Sequence, residues 1–550
     1  MPRIVRWIAP VCVALALSLS IHAQDHAKTN PEAREIFQQL IEINTTDSIG
    51  NVTRAAEAMA QRLLSAGFPE KDVIVAGPND RKKNLVARFR GTGKKKPILF
   101  IGHLDVVEAR REDWTTDPFQ FIEQDGFFYG RGTQDMKEGD AILIANFVRL
   151  KREGFVPDRD LILALTADEE GGDSNGVDWL LKEHRDWIDA EYCINLDGGE
   201  FEKLKGKSVL AGLQASEKVY ADFQFETANP GGHSSVPGPQ NAIYELAAAL
   251  TKLQSFSFPV KISEITRNYF EHSATLTSGQ LAADLRGAAK VPPDTEAIKR
   301  LSANPYYNSL LHTTCVATML SGGHAPNALP QTARANVNCR IFPGEDPEEV
   351  RNTLERVVAD ARVKITVVPE KTSDGKLIPI VAVPPSSLLP EVTSALERTL
   401  ASMWPGVPVV PSMSTGATDG KYLRIAGIPT YGISCMFFDM EDHRSHGKDE
   451  RVGVQDFYDG VEFGYRFLKA LSMETEVLGK FPEWRDFPHL FSYGPGNEEV
   501  LGTYMYLDLT PVGRNENGPN HNLSDCVSNI ALRVKLLAVP RLRIIAKSWN

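Results

Sequence analysis

The sequence predicts an α/β protein, a mostly parallel sheet covered by helices and interrupted by an inserted α+β domain. Three observations carry this. Short apolar runs at 97–102, 161–167 and 192–196 alternate with helical stretches, as strands buried on both faces do. Each run leads directly into a cluster of His, Asp or Glu, and open α/β sheets place their sites at those carboxyl ends. The pattern changes near 210 and returns near 376.

The elements follow in order. Residues 32–66 read mostly as helix, with Ile36, Leu40, Ile41, Ala56, Met59 and Leu63 at helical spacing. The strand at 97–102 is followed by a helix over 141–152. The strand at 161–167 is followed by a helix over 177–187, and the third strand by the change of pattern. Lys218 to Thr227 alternates like a half-exposed strand. A helix over 241–253, strands over 313–320 and 333–341 and a helix over 346–361 complete the insertion. The first style resumes with a helix over 391–403, a strand over 430–435 and a closing helix over 457–471. The expected divisions are a signal peptide (1–23), a catalytic domain in two parts (24–213 and 373–476), an inserted domain (214–372) and a tail (477–550).

Composition narrows the function. The chain has 550 residues, is 42% hydrophobic and 24% charged, and carries a formal charge of −11. This is the profile of a folded protein rather than a disordered one, and the length implies more than one domain. The acidic balance argues against nucleic acid as a partner. Arg3 and Arg6, the apolar run Ile8 to Leu19 and the small-residue site ending at Ala23 have the layout of a secretory signal. The run is short for a membrane span, and an uncleaved anchor is the alternative. No later run is long enough to span a bilayer. The expected location is therefore secreted or periplasmic. Cys193, Cys315, Cys339, Cys435 and Cys526 would remain, widely spaced and without a CxxC pattern. One bridge between Cys315 and Cys339 is compatible with an oxidising compartment but not required.

The clusters carry the chemistry. His103 and Asp105 are two apart in an extended segment and face the same way, which suits a metal ligand and the group that orients it. Gly130-Arg-Gly-Thr-Gln-Asp135 presents an acid on a glycine turn. Asp168-Glu169-Glu170 places three adjacent carboxylates at the end of a buried strand, a repulsion that a bound dication relieves. Asn195-Leu-Asp197-Gly-Gly repeats the arrangement, and His443-Arg-Ser-His446 supplies late imidazoles. Such a mixed N/O set suits zinc, manganese or cobalt better than calcium or magnesium. Each cluster alone is also compatible with an ordinary turn or a charged surface, and His324 and His443 are read as surface or loop histidines.

Together, His103-x-Asp105, Gly130-Arg-Gly-x-x-Asp135-Met-Lys137, Asp168-Glu169-Glu170-Gly171 and His446 resemble the M20 family of co-catalytic zinc peptidases over roughly residues 32–472. The Asp197-Gly-Gly version is similar to the branch with Gly-Xaa carboxypeptidases and N-acyl-amino-acid hydrolases. The resemblance implies two Zn2+ per chain, or Co2+ or Mn2+. It implies His103 and Asp197 on one metal, Glu170 and His446 on the other, Asp135 bridging, Asp105 orienting His103 and Glu169 as general base. It also implies a lid and dimerisation domain. That domain would supply His233 as an oxyanion donor and Asn327 and Arg340 as carboxylate binders, with Gly416 and Thr418 beside the substrate. A homodimer acting on small peptides or N-acyl amino acids follows from it. A small-molecule deacylase or desuccinylase is the rival enzyme, and a metal-binding pseudoenzyme the rival of another class. The tail fits nothing placed so far. An appended module, a basic surface segment and a divergent terminus all stand as readings of it.

Overall fold

The computed structural model describes residues 30–372 and 374–473; the expected signal segment and tail lie outside them. Among the described residues no helix is long and apolar enough to cross a membrane.

A ten-stranded sheet forms the main body. At its centre Leu161–Thr166, Ile98–His103, Tyr192–Asn195 and Thr430–Gly432 run parallel, neighbour to neighbour. Asn84–Phe89 joins antiparallel on one side and the hairpin Phe201–Leu204/Lys207–Glu217 on the other. Every residue of Ile98–His103 and Leu161–Thr166 is buried, because helices cover both faces. Alternate side chains separate the layers. Ile98, Phe100, Leu161 and Leu163 pack with the helices Pro31–Glu42, Lys137–Arg152 and Val454–Ser472. Leu99, Ile101, Ile162 and Ala164 pack with Val177, Leu180 and Leu423 of the opposite layer.

Register brings the chemistry to one edge. His103 pairs with Thr166, while Asn195 pairs with Ile101 and with Gly432. His103, the turn after Thr166, Asp197 and the loop after Gly432 therefore leave the sheet on the same side.

A second, antiparallel sheet has the order Thr314–Gly322, Thr332–Ile341, Val219–Ala228, Val363–Val367. Thr332–Ile341 alternates buried and less buried residues along its length. Its buried face packs with the helices Ala242–Gln254 and Pro347–Val358 around Phe223, Phe225, Leu246, Val337 and Leu354. Cys315 and Cys339 lie opposite each other in the two neighbouring strands and form a disulfide.

The sequence does not single out residues 264–311. They form four helices, Glu264–Leu276, Gly279–Ala289, Thr295–Ser302 and Pro305–Leu311. Their Phe270, Leu285 and Leu310 belong to the large hydrophobic cluster of the main body, not to the cluster under the small sheet. The segment expected as one insertion thus contributes to two cores.

Candidate active site

His103 ends a central strand and is 2% exposed. Its Nδ1 lies 3.0 Å from the Asp105 main-chain oxygen and 3.8 Å from the Asp105 carboxylate. Asp105 therefore contacts the ring through its backbone, while its carboxylate does a second job. Oδ1 accepts from the Glu169 N–H (3.2 Å) and Oδ2 from the Glu170 N–H (2.9 Å). One aspartate thus fixes both the imidazole and the turn that carries the two glutamates.

That turn divides the three acids. Asp168 has φ +57° and turns inward to an ion pair with buried Lys82, accepting also from the Ser174 N–H. Glu169 and Glu170 face a cavity of about 460 Å3 with Asp135, Asp197 and His446. His103 Nε2 is 3.2 Å from Asp135 Oδ1, and His446 Nε2 is 3.0 Å from Asp135 Oδ2 and 2.9 Å from Glu170 Oε1. Donor atoms of His103, Asp135 and Asp197 form one compact group, and those of Asp135, Glu170 and His446 a second. The two groups share Asp135.

A pair of metal ions fits this arrangement. His103 Nε2 is buried with no hydrogen-bond partner that meets donor geometry, which is costly unless a further group binds it. The two N/O sets suit divalent transition metals. The charge the cluster concentrates shows in the direction of each ionisation. Burial pushes the Asp197 carboxyl up to about 8, with Asp135 and Glu170 adding to the rise. Burial and the neighbouring Asp197 also hold Glu169 well above the ordinary carboxyl range. Hydrogen bonds to Asp135 and Glu170 raise His446 to about 10. Crowded carboxylates without a cation hold protons.

The loops that carry Asp135 and His446 are locked from behind. Arg131 Nη1 lies 2.5 Å from Glu450 Oε2, and Arg131 Nη2 donates to the Gly447 carbonyl (2.9 Å). Glu450 also accepts from the N–H groups of Gly132 (3.2 Å) and Gln134 (2.6 Å). Gln134 in turn donates to the Asp442 and Arg451 carbonyls and accepts from the Arg444 N–H. The loop that presents Asp135 is thereby tied to the loop that presents His446. Asp197 is set by a close backbone approach: Gly199 has φ +65°, and a Cβ there would collide with the Gly432 carbonyl.

Sequence reasoning missed Lys82, Arg131, Gln134 and Glu450, whose roles lie in long-range pairing. It also missed Asp419, 4% exposed, which accepts from Asn175 (2.6 Å) and is pushed up to about 6 by burial. His443, read as a surface or loop residue, is exposed and lines the cavity. Gly416 and Thr418 line it too. The Thr418 hydroxyl, however, is already engaged, donating to Glu217 (2.8 Å) and accepting from Asn195 and the Gly420 N–H. His233 and Asn327 come together on a short two-strand ladder, where the Ser234 N–H donates to the Asn327 carbonyl (3.0 Å). Both are exposed, and neither they nor Arg340 line the cavity within the chain. Arg340 stands over the Tyr220 ring at 4.8 Å, with no acid at ion-pair distance among the described residues.

Fold and site together describe an α/β protein with two groups of possible metal ligands that share Asp135. The sequence profile of peptidase family M20/M25/M40 matches residues 99–470, and the chain belongs to that family of enzymes. A probable carboxypeptidase S-like 2 from Dictyostelium discoideum is 28% identical over 403 residues, covering 70% of this chain and 74% of that one. The human N-fatty-acyl-amino acid synthase/hydrolase PM20D1 is 27% identical over 401 residues, covering 70% and 76%. Among solved structures, the M20 family metallo-carboxypeptidase Sso-CP2 from Sulfolobus solfataricus shares the fold with a TM-score of 0.59 at 16% identity, over 80% of this chain and 99% of that one.

Proposed function

We propose that the protein is a secreted, dinuclear zinc hydrolase that cleaves a peptide or N-acyl amide bond next to a free carboxylate. The observation that carries this is the pair of donor sets sharing Asp135, with Glu169 in the same cavity. His103 and Asp197 would hold one ion, Glu170 and His446 the other, with Asp135 between them. Ions bound there supply activation of water and polarisation of the scissile carbonyl. Glu169 takes the proton of the attacking water and delivers it to the leaving amine. No hydrogen bond or ion pair engages the Glu169 carboxylate among the described residues, so it is free for that work.

The substrate carboxylate needs a cation, and among the described residues no lysine or arginine lines the cavity. Arg340 has an unpaired guanidinium of the planar, two-pronged kind that suits carboxylates. We assign it that role, with Asn327 beside it and His233 as oxyanion donor, all three supplied by the second subunit of a homodimer. The edge strand Thr314–Gly322 supports the dimer. Among the described residues one of its sides is unpaired, and it exposes Val316 (60%), Met319 (71%) and Leu320 (71%). Exposed apolar edges of this kind are normally covered.

Metal analysis together with a panel of dipeptides and N-acyl amino acids tests the proposal. Two metals per chain and turnover of substrates with a free carboxylate are expected. Turnover only of substrates whose carboxylate is amidated would refute it. A preference for N-acyl amino acids over dipeptides would favour the deacylase reading, which the name of the PM20D1 relatives supports. Metal binding without turnover of any amide would point to a pseudoenzyme.

A further inference from the structure

Thr418 lines the cavity together with Asp197 and Gly416, yet its hydroxyl has nothing left to offer a substrate. A hydroxyl donates once and accepts twice. Thr418 Oγ1 donates to Glu217 Oε2 (2.8 Å) and accepts from Asn195 Nδ2 (3.2 Å) and from the Gly420 N–H (3.1 Å). All three places are filled by groups of this chain.

Two of those bonds lead onward. Asn195 ends the strand Tyr192–Asn195 and holds the turn that follows. Its Oδ1 accepts from the Asp197 N–H (3.1 Å), and its Nδ2 also donates to the Asp197 carbonyl (3.2 Å). Glu217 is buried at the end of Lys207–Glu217. Its Oε1 lies 2.8 Å from Nη1 of Arg424, which is buried as well and donates through Nη2 to the Thr430 carbonyl (3.0 Å) of a central strand. Glu217 Oε2 takes a second bond from Gln214 Nε2 (3.2 Å), and Gln214 Oε1 accepts from the Gly199 N–H (3.3 Å). The Arg424–Glu217 pair thus grips the Asp197 turn at both ends, through Thr418 and Asn195 at one and through Gln214 at the other. The Arg131–Glu450 pair serves the loops of Asp135 and His446, and none of its bonds among the described residues extends to Asp197. Buried polar networks that are fully satisfied hold one geometry, because losing a member leaves its partners unpaired.

We propose that Glu217, Thr418 and Asn195 form a positioning chain that sets Asp197 for metal binding, so that each of the two metal places has its own buried ion pair behind it. The proposal rests on the two-metal reading above and deepens it. Thr418 is a positioning residue that acts through Asn195, not a substrate contact.

The test compares Thr418→Val, which keeps the shape and removes the hydroxyl, with Thr418→Ser, which keeps all three bonds, in the full-length protein. Zinc affinity is read in two backgrounds. His446→Ala leaves the His103–Asp135–Asp197 group, and Asp197→Ala leaves the Asp135–Glu170–His446 group. Thr418→Val should weaken zinc by about 10- to 100-fold in the first background, the usual effect of losing support behind a ligand, and leave the second unchanged. Thr418→Ser should restore the first. Equal weakening in both backgrounds, no rescue by serine, or normal zinc affinity with only a raised KM overturns the chain; the last result returns Thr418 to direct substrate contact. Hydrogen exchange of the metal-free protein gives a reading independent of metal. The Asp197 N–H should exchange about fivefold faster in Thr418→Val, the worth of one hydrogen bond, with Thr418→Ser at the wild-type rate and residues 130–137 unmoved. If the wild type binds no zinc, the metal reading fails and exchange alone decides the chain. An unchanged rate at Asp197, or an equal rise at 130–137, then overturns it.

Discussion

Glu450→Gln tests the idea that one buried ion pair holds both ligand loops. Glu450 is fully buried and Arg131 is 2% exposed. The substitution keeps the shape and removes the charge. It leaves Arg131 facing a neutral amide and turns an NH2 group toward one of the donors that Glu450 now accepts, the N–H groups of Gly132 and Gln134. Removing one partner of a buried pair costs about 3–5 kcal/mol. For a body of several hundred residues, an unfolding entropy of about 2.1 cal/mol/K per residue makes each kcal/mol worth only about 1 °C. The melting temperature of the metal-free protein should thus fall by about 3–5 °C. The larger effect should be on metal. Glu450 supports the loops of Asp135 and His446 from behind, and loss of such support weakens metal binding by about 10- to 100-fold. Titration against zinc buffers, with a melting curve on the same sample, reads both numbers. Arg131→Lys keeps the charge but loses the bond to Gly447, and should give a smaller shift in the same direction. Unchanged metal affinity in Glu450→Gln would refute the lock, whatever the melting temperature does.

Glu169→Gln should lower kcat by at least about 10²-fold while metal content and melting temperature stay at wild-type values, because its side chain holds no structural bond; near-normal turnover would remove it from the chemistry. A His233→Ala chain and a Glu169→Gln chain, each nearly inactive alone, should recover about a quarter of wild-type activity in randomly mixed dimers if sites are shared between subunits; no recovery with mixed dimers present would place His233 within one chain. The metal-free protein should lose stability as pH rises from about 5 to 9. Its raised carboxyl Asp197, near 8, and its raised His446, near 10, keep protons that the unfolded chain has already released, so each contribution shrinks with rising pH. Melting curves across that range should slope downward without metal and flatten with it.

Much of this was legible in the sequence for a physical reason. Strands buried on both faces must be apolar throughout, so Ile98–His103 and Leu161–Thr166 stand out as runs, and their carboxyl ends locate the candidate ligands. The structure brings His103, Asp135, Glu170, Asp197 and His446 into two neighbouring groups that could hold a metal ion. What escaped depends on partners far along the chain. Asp168 looks like its two neighbours until Lys82 claims it. Arg131 and Glu450 are 319 positions apart, and no local pattern links them. The helices over 264–311 lack a motif, and only packing shows which core they serve.

That last feature bears on how the protein could be taken apart. An insertion with a private core could be excised as a cassette, leaving the host body intact. Here excision of 214–372 would strip Phe270, Leu285 and Leu310 from the main body's own interior. Each large apolar side chain so lost forfeits about 1.5–3 kcal/mol, and a handful of them matches the whole stability margin of a typical protein. A minimal version of this enzyme would therefore have to keep the four helices and surrender only the small sheet with its two covering helices.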